Sequence, residues 1–246
     1  MHLTQAPLAT AMLLAAGRGE RMRPLTDTCP KPLLQVQGKP LMQWHLESLL
    51  AGGCQRVVVN TDWLAEQIEQ AAPVPGLALR YSHEGHDFGG ALETAGGIAR
   101  ALPQLGDVFW VLAADVFTPG FAFSQDAVER FAASDKLAHL WLVPNPAHNP
   151  GGDFGLQRVA NGPALALNLP KDDPRPRYTF STIGLYRRAL FEPPWCDIPA
   201  GNVQGVKAPL APLLRRAMDN HQVSAELYTG PWTDVGTPAR LAELNA

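Results

Sequence analysis

Near its start the chain reads Leu14-Ala15-Ala16-Gly17-Arg18-Gly19-Glu20-Arg21-Met22-Arg23-Pro24-Leu25-Thr26, and Pro30-Lys31-Pro32-Leu33 follows. The apolar residues 11–16 predict a buried strand, and Gly17 and Gly19 predict a loop directly after it. Glycines let a backbone approach a ligand and expose its N–H groups. Three arginines lie in the same loop, and arginine and lysine side chains bind phosphate groups well. The segment therefore predicts a loop that holds a nucleoside triphosphate.

This loop differs from the two common phosphate-binding motifs. A Walker A loop requires glycine, four residues and then Gly-Lys-Ser or Gly-Lys-Thr, and the segment contains no such run. A dinucleotide-binding fingerprint requires a third glycine at position 22, where this chain has Met22. Taken alone, Gly-x-Gly also fits an ordinary turn between a strand and a helix with solvated arginines.

Length and composition favour one α/β domain. The chain has 246 residues, of which 46% are hydrophobic, and its net charge is −3. That charge gives no reason to expect a nucleic-acid partner. The three cysteines show no metal or redox spacing, and no apolar run is long enough to span a membrane. We expect a cytoplasmic protein without membrane contact, with residues 1–9 as a loose tail and 10–246 as a single domain.

Strand-like and helix-like segments alternate through the first half. The pattern predicts strands at 11–16, 56–60, 77–81 and 108–114, and helices at 40–50, 63–71 and 93–102, with Asp62 capping the second helix. Residues 84–97 read as a glycine-rich loop leading into the third helix. This order predicts an α/β fold with a Rossmann-like, open, mostly parallel mixed sheet flanked by helices. Ligands in such folds bind at the carboxyl ends of the strands.

The second half is less regular. Strands are predicted at 137–143, 178–186 and 223–228, and helices at 207–218 and 237–244. The segments 145–152 and 161–177 are rich in proline, glycine and asparagine, and are predicted as loops.

Two aspartates are candidate metal ligands. Asp115 ends the apolar run 108–114, and Asp234 lies in Trp232-Thr233-Asp234-Val235-Gly236-Thr237. Two carboxylates at strand ends can hold one Mg²⁺, with phosphate oxygens and water completing its shell. Each aspartate also has a simpler interpretation, as a helix cap or as a turn residue.

Residues 14–33 resemble the signature of the sugar-1-phosphate nucleotidylyltransferases, in which a strand precedes Gly-x-Gly-x-Arg-x-x-Pro-x-Thr and then Pro-Lys-Pro-Leu. The resemblance implies a Mg²⁺ cofactor held by Asp115 and Asp234, and Arg21, Lys31 and Asp115 as catalytic residues. It implies nucleotide contacts from the loop and from the Leu-Glu-Thr-Ala-Gly-Gly segment, namely from Ala15, Ala16, Gly17, Gly19, Glu20, Arg21, Lys31 and Thr94.

Other segments resemble the branch that transfers uridylyl groups to N-acetylmuramic acid 1-phosphate in cell-wall sugar recycling. Gly152-Asp153-Phe154 resembles its Gly-Asp-Phe segment, and Thr179-Phe180-Ser181 resembles Thr-Phe-Ser-Gly, with Thr182 in place of the glycine. Ala113 replaces an asparagine that often contacts the sugar. The implied sugar-phosphate residues are Ala113, Gly152, Asp153 and Lys207. Lys207 is equally well a solvated surface lysine, and Lys171 is a weaker phosphate candidate of the same kind.

The resemblance predicts a transferase that joins UTP to N-acetylmuramic acid 1-phosphate and releases pyrophosphate. A mannose-1-phosphate guanylyltransferase or another hexose-1-phosphate enzyme is the first alternative. A phosphocholine cytidylyltransferase and a non-catalytic nucleotide-sugar-binding regulatory subunit are further alternatives. The expected partners are small-molecule substrates, and the chain is expected to be a monomer or a small homo-oligomer.

Overall fold

The computed structural model describes residues 9–71, 73–160 and 162–246. Residues 1–8 of the predicted tail lie outside this range. Ala9, which the prediction includes in that tail, is buried because it packs with the alternate residues of the first strand against the core. Ala9 therefore belongs to the packed part of the chain and not to a loose tail.

Strands make up the centre of the molecule. In chain order they are β1 (Thr10–Leu14), β2 (Gln35–Val36), β3 (Lys39–Pro40), β4 (Arg56–Thr61), β5 (Ala78–His83), β6 (Val108–Ala113), β7 (Val116–Phe117), β8 (Ala138–Val143), β9 (Phe154–Gln157), β10 (Leu165–Leu167), β11 (Arg177–Arg187), β12 (Val223–Leu227) and β13 (Thr233–Asp234).

Helices cover the sheet. They are α1 (Leu25–Thr28), α2 (Leu41–Ala51), α3 (Ala65–Glu69), α4 (Glu84–Phe88), α5 (Glu93–Ala101), α6 (Gln125–Ala132), α7 (Leu210–Asp219) and α8 (Pro238–Leu244). Short 3₁₀ turns occupy Glu20–Met22, Lys31–Leu33, Leu102–Gln104 and Arg188–Phe191. Among the described residues, no helix has the length and apolar character needed to cross a membrane.

The main sheet has the strand order β5-β4-β1-β6-β11-β8-β12-β10-β9. The first four of these strands pair in parallel, as do β8 and β12. The remaining pairings are antiparallel, and β11 joins the two halves by pairing with both β6 and β8. The predicted mixed α/β sheet is confirmed, with its parallel part concentrated in the first half of the chain.

Apolar side chains pack against both faces of the sheet because successive strand residues point to opposite sides. On β6, Trp110 packs on one face with residues of α2, α3 and α6, whereas Phe109 packs on the other face with residues of α5 and α7. Trp110 is 1% exposed and its ring centroid lies 5.0 Å from that of Trp141. Truncation of such a residue to alanine costs about 3–5 kcal/mol of unfolding free energy.

Several local predictions are corrected by contacts between distant segments. Asp62 does not cap a helix at 63–71, because its carboxylate accepts the N–H of Ala91 (3.2 Å) and α3 begins only after Leu64. The predicted loop before the helix at 93–102 is not all loop, since Glu84–Phe88 form α4, whereas α5 agrees with the predicted helix. Residues 161–177 contain β10, which pairs with β9 and β12. Asn161 lies outside the described residues.

The buried imidazole of His45 makes folding stability depend on pH. Its Nε2–H donates to the carbonyl oxygen of Val116 (2.7 Å), and burial lowers the pKa of His45 to about 4. The unfolded chain therefore binds the extra proton first as the pH falls. We expect the titration of His45 to leave the free energy of unfolding unchanged above pH 6.5. As the pH falls to about 4, it should lower that free energy by about 3 kcal/mol.

Urea unfolding at pH 7, 6 and 5 tests this expectation. His45→Gln should flatten the loss of stability with acid relative to the wild type, whereas His221→Gln, at an exposed site, should leave it unchanged. Parallel stability curves for the wild type and His45→Gln would contradict the role assigned to His45.

Candidate active site

The carboxyl ends of four parallel strands meet at one edge of the sheet. β1 lies between β4 and β6, so Leu14 pairs with both Asn60 and Ala113. The chain passes from β1 to β4 and β5 on one side, and then returns to β6 on the other side. Such a switch in strand order leaves a crevice beyond the strand ends, where α/β folds bind ligands.

A cavity of about 250 Å³, here termed the edge cleft, occupies this crevice. Its lining comes from the segments that follow β1, β5 and β6, and from the start of α5. The lining residues are Leu14, Ala15, Ala16, Gly17, Pro32, Asn60, Glu84, Ala91, Glu93, Thr94, Ala113, Ala114 and Asp115. The structure thus brings the predicted residues Ala15, Ala16, Gly17, Thr94, Ala113 and Asp115 together.

The glycine loop beside the edge cleft is held in shape by its own arginine. Arg18 donates to the carbonyl oxygen of Thr26 (2.8 Å), and its guanidinium carbon lies 3.7 Å from the ring centroid of Trp63. Thr26 in turn donates its hydroxyl to the carbonyl oxygen of Gly19 (2.8 Å). Gly19 has a φ of 68°, which favours glycine. Because these contacts lie outside the cleft, Arg18 shapes the loop and stays away from the ligand space.

Arg21 is the arginine left available for a ligand. Arg18 and Arg23 both pair with Asp27, at 3.3 Å and 3.1 Å. Arg21 is exposed and forms no ion pair with any residue that the structure describes. Gly17 is also open, since a Cβ there would meet no atom within 4 Å. These two positions face solvent at the mouth of the loop, together with the predicted residue Glu20, which is exposed.

Lys31 and Asp115 form an ion pair at the edge cleft. Lys31 is 8% exposed, and its Nζ lies 2.6 Å from Oδ2 of Asp115. A buried ammonium needs a charge partner, because losing its hydration costs several kcal/mol. The pair therefore fixes the predicted phosphate-binding lysine directly beside the predicted metal ligand.

Asp234 lies next to Asp115 because their segments pair. β13 is antiparallel to β7, with Asp234 opposite Val116, and Val235 N–H donates to the carbonyl oxygen of Asp115 (2.8 Å). The Asp234 carboxylate pairs with Arg240 and with His148, the latter at 2.9 Å. The sequence prediction did not include Arg240 or His148.

The donor set fits a magnesium ion. Mg²⁺ prefers hard oxygen ligands and binds proteins through one or two carboxylates, with water and phosphate oxygens completing its shell. Asp115 and Asp234, whose backbone segments pair and whose carboxylates are each paired with a side-chain cation, supply oxygen ligands of this kind. No group of three or more His, Cys, Asp or Glu residues within the described ranges forms an alternative metal cluster.

Asn60 and Glu84 belong to the cleft but were missed. Asn60 accepts the N–H of Ala15 (2.7 Å) and donates to Glu84 (2.9 Å), whose carboxylate also accepts the N–H of Leu92 (2.7 Å). Burial raises the pKa of Glu84. The available signal was a polar residue at the end of each strand, in Val59-Asn60 and His83-Glu84. These hydrogen bonds connect three strand ends at the floor of the cleft.

A second cavity of about 510 Å³, here termed the inner cavity, adjoins the edge cleft and shares Leu14, Glu93, Thr94 and Ala113 with it. Its other walls are mainly apolar and come from β6, β9, β11 and α7. They consist of Val111, Phe154, Phe180, Thr182, Tyr186, Pro209, Leu210, Ala211 and Leu214. The two cavities can hold the two parts of one extended ligand.

Four of the predicted sugar-phosphate candidates, Gly152, Asp153, Lys171 and Lys207, line neither cavity. Gly152, Asp153 and Lys171 line a separate pocket. Asp153 accepts the N–H of Phe180 (2.8 Å), so it positions a residue of the inner cavity. Lys207 is exposed, and its Nζ would lie 3.6 Å from a Cβ at Gly90.

The two glycines of α5 have a packing role. A Cβ at Gly96 would lie 2.4 Å from the carbonyl oxygen of Val206, and one at Gly97 would lie 2.6 Å from Oε1 of Glu84. Close packing of α5 against its neighbours therefore requires glycine at both positions.

Comparison with known proteins agrees with this geometry. The sequence profile of the family described as Nucleotidyl transferase matches residues 10–246. The chain is 46% identical over 251 aligned residues to the N-acetylmuramate alpha-1-phosphate uridylyltransferase of Neisseria meningitidis serogroup B, with 96% of each chain covered. It is 44% identical over 145 residues to the protein of the same name from Caulobacter vibrioides, with 56% of this chain and 55% of that protein covered.

Among solved structures, UDP-glucose pyrophosphorylase complexed with UDP-glucose aligns with a TM-score of 0.73 and 16% identity, covering 97% of both chains. At that identity the likeness shows the fold alone, whereas the family profile and the Neisseria relative each span nearly the whole chain. The chain therefore belongs to the nucleotidyl transferase family.

Proposed function

We propose that this protein transfers the uridylyl group of UTP to N-acetylmuramic acid 1-phosphate, forming the UDP-sugar and pyrophosphate. The observation that carries the chemistry is the assembly of Lys31, Asp115 and Asp234 beside the loop of Gly17 and Arg21. The uridylyltransferase from Neisseria meningitidis, 46% identical over 96% of the chain, supports the choice of substrates.

The chemistry requires positioning and charge balance rather than a protein nucleophile. A sugar 1-phosphate has a second pKa of about 6 and is largely dianionic at neutral pH. Its phosphate oxygen attacks the α-phosphorus of the nucleotide, the bond to the β-phosphate oxygen breaks, and pyrophosphate leaves. Catalysis then consists of holding two polyanions in line and offsetting their charge. Lys31, Arg21 and the loop backbone are placed for these tasks.

Magnesium held by Asp115 and Asp234 would neutralise phosphate charge in this reaction. Lys31 keeps the Asp115 carboxylate in place, and Arg240 and His148 do the same for Asp234. Since the inner cavity continues from the edge cleft, we place the nucleotide in the cleft and the sugar in the cavity. A cytoplasmic location and a monomeric or small homo-oligomeric state remain predictions. The three cysteines are free in the structure.

The direct test measures pyrophosphate release with Mg²⁺. UTP, GTP, CTP, ATP and dTTP are each paired with the 1-phosphates of N-acetylmuramic acid, glucose, N-acetylglucosamine and mannose. We expect the fastest turnover with UTP and N-acetylmuramic acid 1-phosphate. A preference for GTP with mannose 1-phosphate would overturn the proposed substrates but leave the proposed reaction class intact. Absence of release from every pair would favour the regulatory or phosphocholine alternatives.

Removing either predicted metal ligand should stop turnover. Asp115→Asn and Asp234→Asn keep the side-chain size but lose a negative charge, and each should lower kcat by at least about 100-fold. Steady-state pyrophosphate release gives kcat, and thermal unfolding shows whether each variant is folded. Asp172→Asn, at an exposed site, is the matched control. Turnover close to that of the wild type in a folded variant would remove that aspartate from the metal site.

Arg21 and Arg23 form a matched pair for testing the loop. Both are exposed and two residues apart, but only Arg23 pairs with Asp27. Arg21→Ala should raise KM for UTP about tenfold or more, because a charge-assisted contact to phosphate is lost. Arg23→Ala should stay within about twofold of the wild type, the effect expected when only a surface ion pair is lost. Equal KM values for the two variants would contradict the role assigned to Arg21.

A further inference from the structure

Thr182 has an unfavourable backbone conformation in the wall of the inner cavity. Its φ is 71°, in the left-handed region that favours glycine. A β-branched residue is especially disfavoured there. The residue lies in an irregular part of β11, where the register with β8 shifts between Phe180 and Gly184. Strain of this kind persists where surrounding structure imposes it, and it is concentrated at ligand sites.

The hydroxyl of Thr182 is buried without a hydrogen bond. Within the described part of the chain, Oγ1 has neither a donor nor an acceptor partner. Leaving a hydroxyl in this state is costly, since its hydration is lost without replacement. The rest of the residue is only partly buried and lines the inner cavity. A threonine side chain has three staggered positions, so rotation about the Cα–Cβ bond is the movement that would bring Oγ1 to the cavity.

Thr182 and Ala113 lie on the neighbouring strands β11 and β6. Their pairing ends at Gly184 with Val111, and Thr182 and Ala113 each lie two residues beyond that pair. Both residues line the inner cavity, and Ala113 also lines the edge cleft. The methyl side chain of Ala113 offers no hydrogen bond to a ligand, whereas Thr182 on the neighbouring strand carries a hydroxyl.

We propose that Thr182 is a specificity-determining residue, whose hydroxyl hydrogen-bonds the sugar of the sugar 1-phosphate in the inner cavity. A hydroxyl both donates and accepts, which suits a sugar hydroxyl or an acylamino group. The aromatic walls formed by Phe154, Phe180 and Tyr186 match the apolar face of a sugar ring and its acyl or alkyl substituents. This inference rests on the proposed function and adds the residue that selects the sugar.

Three substitutions separate the hydroxyl from the shape and strain of the side chain. Thr182→Val keeps the branched shape and removes the hydroxyl, Thr182→Ser keeps the hydroxyl, and Thr182→Gly removes both the hydroxyl and the strain. For each variant, KM is measured separately for UTP and for the sugar 1-phosphate that the wild type uses best. Thermal unfolding is recorded in parallel.

We expect Thr182→Val and Thr182→Gly to raise KM for the sugar 1-phosphate about tenfold, the effect of losing one hydrogen bond to the ligand. KM for UTP should stay within about twofold, and Thr182→Ser should retain most of the sugar affinity. Thr182→Gly should unfold at a temperature no lower than that of the wild type, because glycine accepts a φ of 71°. If Thr182→Val does not fold, Thr182→Gly provides the same comparison.

The outcomes distinguish this inference from the proposed function. Turnover with wild-type KM for the sugar 1-phosphate in Thr182→Val and Thr182→Gly would overturn the role of Thr182 and leave the proposed function intact. Equal increases in both KM values would also overturn it, because they would indicate a general distortion of the site. Absence of turnover by the wild-type protein with every sugar 1-phosphate would overturn both.

Discussion

Parallel pairing of β1 with β4 and β6 is the constraint on which the site depends. Parallel strands end at the same edge of a sheet, so this pairing brings residues that are far apart in the chain to one place. The backbone beyond the strands continues the same connections, since Ala15 N–H binds Asn60 and Ala114 N–H binds the carbonyl oxygen of Leu14. The edge cleft is therefore built where strand pairing holds β1 on both sides.

Charge is distributed unevenly around the edge cleft. The two predicted metal ligands are each paired with a side-chain cation, Lys31 for Asp115 and Arg240 for Asp234. In the glycine loop, Arg18 and Arg23 form ion pairs with Asp27, whereas Arg21 is exposed. Pre-positioned cations lower the cost of bringing a second polyanion into the cleft, because little reorganisation is needed when the ligand arrives. The net charge of −3 gives no indication of this local arrangement of paired charges.

The predicted parallel half of the fold agrees closely with the structure because its signals are local. Apolar runs such as Val57-Val58-Val59 and glycine-bounded helices define β4 and α2 within short windows of sequence. The errors occur where a distant partner decides the outcome. Aspartate is a common helix cap, yet the carboxylate of Asp62 accepts a hydrogen bond from the N–H of Ala91 instead. β10 has only three residues in a loop-like composition, and it is a strand because β9 and β12 pair with it.

The sequence by itself determined the reaction class, since Gly17, Gly19, Arg21 and Lys31 occur within one short segment whose spacing is specific. It also indicated the two aspartates, because each has a recognisable local context. Only the tertiary structure decided which groups meet: that Lys31 pairs with Asp115, that Asn60 and Glu84 form the cleft floor, and that Thr182 and Ala113 line the same cavity. The physical reason is that pairing register and burial arise from contacts between residues far apart in the chain, which local patterns do not encode.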